Sequence, residues 1–206
     1  MKQEIEVKLS IDESEIASLL KCEFMKQFDE PESEKYLQNI YFDTPDLALN
    51  KRKIALRVRS AGDHFFQTLK TQGVSHEGFS QRSEWEWQIA KPELDATLLP
   101  TDTWPAQVDP YQLKAQFTTN FTRCLWYLRT SDSNTTTLIE IALDRGEIAV
   151  NGKNERLAIC ELELELKEGD AEQLKVVSQM LVKQCPALTP SDASKALRGY
   201  QLLTSP

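Results

Sequence analysis

Charged residues recur through this sequence at a spacing of two, with apolar residues between them. The first stretch reads Glu4-Ile5-Glu6-Val7-Lys8. Later ones carry Arg57 and Arg59, then Arg82, Glu84 and Glu86, then Glu161, Glu163 and Glu165. On a β-strand, residues i and i+2 share a face. Each stretch therefore reads as a strand with one greasy face and one charged face. Lys70, Arg123, Glu140 and Asp144 fall on the charged faces of further strands. One such strand is an ordinary strand with a wet outer side, so it is the recurrence that needs explaining. The three glutamates between Leu157 and Lys167 stand about 7 Å apart. Neighbours repel by about 1 kcal/mol or more, depending on the local dielectric. Nearby cations turn that cost into a gain, either lysines and arginines from other strands or divalent metals. Carboxylate oxygens without His or Cys suit Mg²⁺ or Mn²⁺. Arginine forks match phosphate oxygens, and lysine acts as a point charge. A sheet curled with its charged face inward makes a polar tunnel, with a cationic wall, an acidic wall and helices on the greasy outside. The guest that fits is a polyanion with metal ions. The matching chemistry is phosphoryl transfer, which needs positioning, charge neutralisation and an oriented nucleophile. No Ser/His/Asp set and no G-x-x-x-x-G-K-[ST] loop competes with it.

The elements that must position these residues follow from periodicity and turn chemistry. A strand over 3–9 precedes Ser10-Ile11-Asp12-Glu13, which has the form of a capping box. A helix is expected from there to about residue 28. Strands are expected over 36–43, 54–60, 64–71 and 80–90, with a glycine-bearing loop over 72–78. Residues 91–118 hold four prolines and read as a loop-rich connector with short helices near 94–99 and 111–117. Strands resume over 119–129 and 136–144. Arg145-Gly146 reads as a break, followed by a short strand over 147–150 that turns at Asn151-Gly152. Residues 157–167 show the strongest alternation. Two helices follow, from Asp170 to about residue 185 and from near Ser191 to about residue 203. Because the strand pattern resumes after the connector, a single domain over 1–206 is expected.

Composition narrows the partners. The 206 residues are 40% hydrophobic, which is globular, and carry a net charge of −8. Nucleic-acid scaffolds are usually basic, so no nucleic-acid partner is expected. An acidic chain still binds an anion when its basic residues are gathered in one place. Cys22, Cys124, Cys160 and Cys185 lie far apart and form no zinc pattern, so they read as buried thiols in a reducing compartment. His64 and His76 read as loop or surface residues, and Trp85 and Trp87 as core. No apolar run approaches a membrane span, and a charged strand stands where a signal peptide would be. A cytoplasmic location without a membrane partner is expected. Nothing in the sequence specifies an oligomeric state.

Glu4-x-Glu6-x-Lys8 resembles the E-x-E-x-K signature of the CYTH superfamily, the triphosphate tunnel metalloenzymes. The resemblance continues in order through Tyr41-Phe42-Asp43-Thr44-Pro45, Leu56-Arg57-Val58-Arg59, Thr68-Leu69-Lys70, Arg82-Ser83-Glu84, Leu143-Asp144 and Glu161-Leu162-Glu163-Leu164-Glu165. It ends at Ser194-Lys195-Ala196-Leu197-Arg198-Gly199-Tyr200. It implies an α+β fold: an eight-stranded antiparallel β-tunnel, a barrel with a charged interior and helices packed outside. The spacing is most similar to the bacterial inorganic triphosphatases. Many of these continue into a helical CHAD domain, which is not expected within these residues. By resemblance, Glu4 and Glu6 hold metal, with Glu163 and Glu165 opposite and Glu161 on the same face. Asp144 holds a second metal or orients the attacking water. Lys8, Arg57, Arg59, Lys70, Arg82 and Arg123 grip the substrate, and Lys195 caps the tunnel mouth. Glu4, Glu6, Lys8 and Asp144 form the catalytic set. Ala142 stands where some members carry a carboxylate, which thins the acidic wall. The implied reaction is cleavage of inorganic triphosphate to pyrophosphate and phosphate with two Mg²⁺ or Mn²⁺ ions. The alternatives within the fold are a nucleotide triphosphatase, a thiamine triphosphatase and an adenylate cyclase. From another class, a non-catalytic polyphosphate-binding module would keep the cations but need no acidic wall.

Overall fold

The computed structural model describes residues 1–132 and 135–205. Among them ten strands form one antiparallel sheet. These are β1 (Lys2–Ser10), β2 (Ser33–Asp43), β3 (Ala55–Ala61), β4 (His64–Lys70), β5 (Val74–His76), β6 (Phe79–Ile89), β7 (Lys114–Asp132), β8 (Thr135–Val150), β9 (Arg156–Glu168) and β10 (Thr189–Pro190). Eight of them close into a barrel in the order β1-β9-β8-β7-β2-β3-β4-β6, with β6 pairing back onto β1. Closure leaves none of these eight as a free edge. The short β5 and β10 extend the sheet beside β6 and β1.

Alternation decides which side chains turn outward. Val7, Leu9, Ile139, Ile141, Leu162 and Leu164 form the outer face of β1, β8 and β9. Two helices cover that face, α1 (Ile16–Lys21) and α2 (Ala171–Gln184), through Ile16, Leu19, Leu174, Val177 and Leu181. Each such side chain fully removed from water contributes about 1.5–3 kcal/mol. On the other side, Leu56, Leu69, Trp85 and Trp87 pack against Leu49, Leu99 and Val108 from the connecting segments. The tryptophan pair is therefore part of the outer packing.

A third helix, α3 (Lys195–Thr204), closes one end of the barrel. There the inward-facing residues are apolar: Tyr41, Phe117, Phe121, Ile148 and Ile159 pack with Tyr200 and Leu202. Tyr41 stacks on Phe117 at 4.7 Å, and Phe117 meets Tyr200 edge-on at 5.0 Å. A Cβ on Gly199 would collide with the Phe117 ring, so the helix lies directly on that ring. The Tyr200 hydroxyl donates to Asp43 Oδ2 at 2.9 Å. Asp43 also accepts from the backbone N–H groups of Thr44, Leu49 and Asn50, which shapes the segment after β2.

Several boundaries differ from expectation, each for a local reason. Ser10 does not cap a helix: it remains in β1, paired with Glu161 and Thr189. The expected helix to residue 28 is a 3₁₀ turn, the six-residue α1, and a second 3₁₀ turn over Met25–Gln27, because Cys22 leaves α1 with extended backbone. The loop over 72–78 is largely β5 and its hairpin turn. Glu77 and Gly78 both take positive φ, the geometry more often marked by Asn-Gly. The connector holds only 3₁₀ turns, at Ala96–Leu98 and Pro110–Gln112, and β7 has begun by Lys114. Arg145-Gly146 is not a break. β8 runs straight through it, and Gly146 leaves room for Phe121 on β7, since a Cβ there would meet Phe121 and the Asn120 carbonyl. Residues 191–194 lie outside any helix, and α3 begins at Lys195 with Ser194 as its cap.

The contact at Gly199 gives a direct test. Gly199→Ala gains about 1 kcal/mol of helix propensity but forces α3 off Phe117, an overpacking cost of about 1–3 kcal/mol. The expected outcome is a lower midpoint of thermal unfolding. An unchanged or higher midpoint would show that the helix does not rest on the ring.

Candidate active site

The barrel encloses a cavity of about 460 Å³. Glu4, Glu6 and Lys8 from β1 line it, as do Arg57 and Arg59 from β3, Lys70 from β4, Arg82 from β6 and Arg123 from β7. Glu163 and Glu165 from β9 and Lys195 from α3 complete this set. In the ring of eight strands, β3 lies four places from β9. The arginine strand and the glutamate strand are thus on opposite sides. Glu161 and Asp144 are not on the cavity surface. They sit behind it at the closed end, with 2% and 0% of their surface exposed.

Register explains how the wall is paired. Glu4 stands opposite Arg82 across β1 and β6, and Lys8 opposite Glu163 across β1 and β9. Arg82 Nε donates to Glu4 Oε2 at 2.7 Å, and its Nη2 to Glu6 Oε1 at 3.2 Å. Lys70 bridges Glu4 and, at 3.1 Å, Glu84. Burial alone would raise the Glu4 carboxyl, but Lys70 and Arg82 outweigh it and hold Glu4 well below the usual carboxylate range. Burial likewise works against a charged Lys8, yet Glu6, Glu163 and Glu161 raise it.

At the closed end the pairing is complete. Arg123 forks onto Asp144, Nε to Oδ1 at 2.7 Å and Nη2 to Oδ2 at 2.6 Å, and Nη2 also reaches Glu163 Oε2 at 2.5 Å. Lys195 Nζ donates to Asp144 Oδ2 at 2.6 Å, to Glu163 Oε1 at 2.9 Å and to Glu161 Oε1. Lys195 therefore does not stand at an open mouth but reaches into the plugged end. Burial opposes the charge of Glu163, but Lys195, Arg123 and Lys8 hold its carboxyl well below the usual range. Burial, joined by the neighbouring Glu163, leaves Glu161 raised despite Lys195.

Two cations remain without a carboxylate. Among the described residues neither Arg57 nor Arg59 forms an ion pair, Arg57 Nε has no hydrogen-bond partner, and Arg59 Nε donates to the Asn39 side chain at 2.7 Å. Burial and the neighbouring Arg57 and Arg123 push Arg59 down to about 9. Tyr41 lies beside this pair. Burial raises its phenol, but Arg57, Arg59 and Lys195 outweigh that and lower it.

The donor set fits a hard divalent cation at one place on the acidic wall. Glu6 on β1 is the register partner of Glu165 on β9, which is the partner of Glu140 on β8. All side-chain contacts of Glu6 fall on its Oε1, and those of Glu165 on its Oε1. The second oxygen of each is unengaged among the described residues. The lysines at Glu165, Lys2 and Lys167, are 52% and 29% exposed and can swing away. Carboxylates alone, without His or Cys, suit Mg²⁺ or Mn²⁺.

Several functional residues were not singled out from sequence. Asp43 ends an expected strand and belongs to the Tyr41-Phe42-Asp43-Thr44-Pro45 resemblance, with no role assigned to it, since its part as anchor of α3 depends on a partner 157 residues away. Tyr41 shares the inward face of Arg57, and strand parity around Asn39 and Tyr41 was the available signal. Phe121 carries Arg59, Arg123 and Lys195 within 6.0 Å of its ring, a convergence that only the barrel creates. His64 and His76 are exposed, as expected. All four cysteines are free thiols, but only Cys124 and Cys185 are buried, so Cys22 and Cys160 correct that expectation.

The depressed carboxyls of Glu4 and Glu163 set the acid limb of stability. A carboxylate whose pKa is lower in the folded state contributes fully above its unfolded value of about 4.3. That contribution disappears as pH falls towards the folded value. Glu161, raised by burial, runs the opposite way and offsets part of it. The unfolding midpoint is expected to fall as pH drops below about 4, and less steeply in Glu4→Gln. Equal slopes in the two proteins would remove Glu4 from this account.

Comparison with known proteins places this geometry. The CYTH domain family matches residues 2–200. The inorganic triphosphatase of Haemophilus influenzae is 33% identical over 204 residues, which are 98% of this chain and 55% of that protein. The chain thus spans about half the length of that curated relative. Among solved structures, a Hippeastrum protein described as a candidate adenylyl cyclase with a dominant triphosphatase activity aligns with a TM-score of 0.64 at 20% identity, covering 98% of each chain. A candidate adenylate cyclase from Bacillus halodurans aligns with a TM-score of 0.57 at 22% identity, covering 96% of this chain and 98% of that one. These two likenesses show the shared barrel. With the family match running from residue 2 to residue 200, the chain belongs to the CYTH domain family.

Proposed function

We propose that this chain hydrolyses inorganic triphosphate to pyrophosphate and phosphate inside the tunnel, with Mg²⁺ or Mn²⁺. The observation that carries this reading is the pair of half-buried guanidiniums on β3 that form no ion pair among the described residues, set across the cavity from the carboxylates of β9. Cations drawn into a cavity without an ion-pair partner call for an anionic guest, and the 33% identical Haemophilus protein is an inorganic triphosphatase. Arg57 and Arg59 take the phosphoryl oxygens through charge-assisted, forked hydrogen bonds. Lys8, Lys70 and Arg82 flank them, already oriented by Glu4, Glu6 and Glu84. Because these donors are fixed before substrate arrives, little reorganisation remains for the reaction itself. Glu6 and Glu165, each with an unengaged oxygen among the described residues, are the residues that would hold the divalent cation. When bound, such an ion neutralises phosphoryl charge and lowers the pKa of a water molecule. The apolar packing around Phe117 and Phe121 closes one end and limits bulk water there. The guest is a small polyanion, and four free thiols fit a reducing, cytoplasmic setting.

Phosphate release from triphosphate, ATP and thiamine triphosphate, each with Mg²⁺, Mn²⁺ or a chelator, tests the reading. The highest kcat/KM is expected for triphosphate, and loss of activity with chelator. Tight triphosphate binding without release would instead make the chain a binding module. Preferred turnover of ATP, to phosphate or to a cyclic product, would reassign the substrate.

A second measurement separates binding cations from structural ones. Arg59→Met removes a charge that the fold disfavours, so the unfolding midpoint is expected to hold or rise. Its kcat/KM for triphosphate should fall by about 10²–10³, the usual cost of one preorganised donor. Arg123→Met leaves the fully buried Asp144 with Lys195 alone and Oδ1 without a partner, breaking a buried ion-pair network that should cost about 3–5 kcal/mol of stability. If Arg59→Met destabilised the protein as much as Arg123→Met, Arg59 would be structural.

A further inference from the structure

Among the described residues, the one group of three or more carboxylates whose oxygens lie within 4.8 Å of one another is Asp144, Glu161 and Glu163. That spacing is what a divalent ion needs, and by resemblance to the family Asp144 holds a second metal or orients the attacking water. In this structure the centre of the trio is filled from within the chain. Lys195 Nζ is 2.6 Å from Asp144 Oδ2 and 2.9 Å from Glu163 Oε1, and it also donates to Glu161 Oε1. An ammonium with three carboxylate partners takes almost the position of a Ca²⁺- or Mg²⁺-sized ion, whose oxygen distances are about 2.0–2.6 Å.

The lysine is held there. It is the first residue of α3, where the helix dipole disfavours a cation by about 0.3–1 kcal/mol, so helix preference does not explain it. The helix behind it is fixed by the Ser194 cap, by Gly199 on the Phe117 ring and by Tyr200 on Asp43. The ammonium also lies 4.8 Å from the centre of the Phe121 ring. Asp144 keeps no free oxygen, since Arg123 engages both and Lys195 shares one. The contrast with Glu6 and Glu165, each with one unengaged oxygen, is on the same wall.

We infer that Lys195 is the standing cation of the Asp144–Glu161–Glu163 trio, taking the place of a divalent ion there. Glu6 and Glu165 are then the pair that holds the exchangeable metal. This deepens the metal side of the proposed function. α3 acts as a plug that carries its own counter-ion, and Asp144 positions Arg123 and Lys195 without touching metal.

Counting Mn²⁺ by electron paramagnetic resonance and calorimetry, with no phosphate compound present, tests it. Asp144→Asn is expected to keep the wild-type number of Mn²⁺ per chain, whereas Glu165→Gln is expected to weaken or lose an ion. Lys195→Ala is expected to bind one further Mn²⁺, with Mn²⁺ raising its unfolding midpoint more than it raises the wild type's. Loss of one Mn²⁺ in Asp144→Asn would overturn the inference, as would a folded Lys195→Ala protein with the wild-type count. Should Lys195→Ala fail to fold, the Asp144→Asn count decides alone. The count involves no substrate, so its failure is distinct from a failure to release phosphate from triphosphate.

Discussion

An ion taken into a protein interior without a partner costs several kcal/mol, and this barrel takes in more than a dozen charged side chains. The register of the sheet answers that constraint. β1 meets Arg82 on one side and Glu163 on the other, so Glu4 and Lys8 each find an opposite charge directly across a strand. A slip of one residue would turn every side chain to the other face. The glutamates of β9 would then lie under α2, and Leu162 and Leu164 would line the cavity. The greasy outer face and the charged inner face thus specify the same register independently, and the interactions that hold the barrel also build its site.

That agreement is why the inner face was legible in the sequence. A period of two is local, and Glu161, Glu163 and Glu165 announce their face without knowledge of any partner. Elements whose form depends on distant residues were not legible in this way. Gly146 has the look of an interruption, yet it is the residue that lets β8 continue close against the Asn120–Phe121 backbone of β7. Ser10 has the side chain of a helix cap, but pairing with β9 and β10 keeps it in the sheet. The helix expected from residue 10 to residue 28 breaks because Cys22 adopts extended backbone. For Gly146 and Ser10 strand pairing overrode a local preference.

The same division holds for the site. Strand parity placed Arg57, Arg59, Glu4, Glu6, Glu163 and Glu165 on the cavity, and the structure puts them there. Parity says nothing about which oxygen meets which nitrogen. Asp144 and Glu161 share the inward face with the others, yet they lie behind the cavity surface because Arg123 and Lys195 cover them. Lys195 was read at a tunnel mouth because the sequence does not reveal that α3 closes that end. Asp43 and Asp144 are both fully buried aspartates, but one accepts only neutral donors and the other only cations. The first anchors α3 through the Tyr200 hydroxyl and the second receives the lysine of that helix.

Pairing is graded along the tunnel, and this gradient links stability to chemistry. At the closed end Asp144, Glu163, Arg123 and Lys195 are mutually saturated, and removing any one would strand the rest. Towards the other end, Glu165 is met by Lys2 and Lys167, which are partly exposed, and its second oxygen is unengaged. Between them Arg57 and Arg59 have no carboxylate in ion-pair contact among the described residues. A guest anion gains most where the protein has left charge unanswered, and a metal ion gains most where a carboxylate oxygen is idle. Both conditions are met in the stretch between Glu6, Glu165 and the β3 arginines, and neither is met at Asp144. The saturated end supplies the rigidity that lets the middle of the tunnel stay uncompensated, because like-charged guanidiniums in a looser frame would turn outward to water.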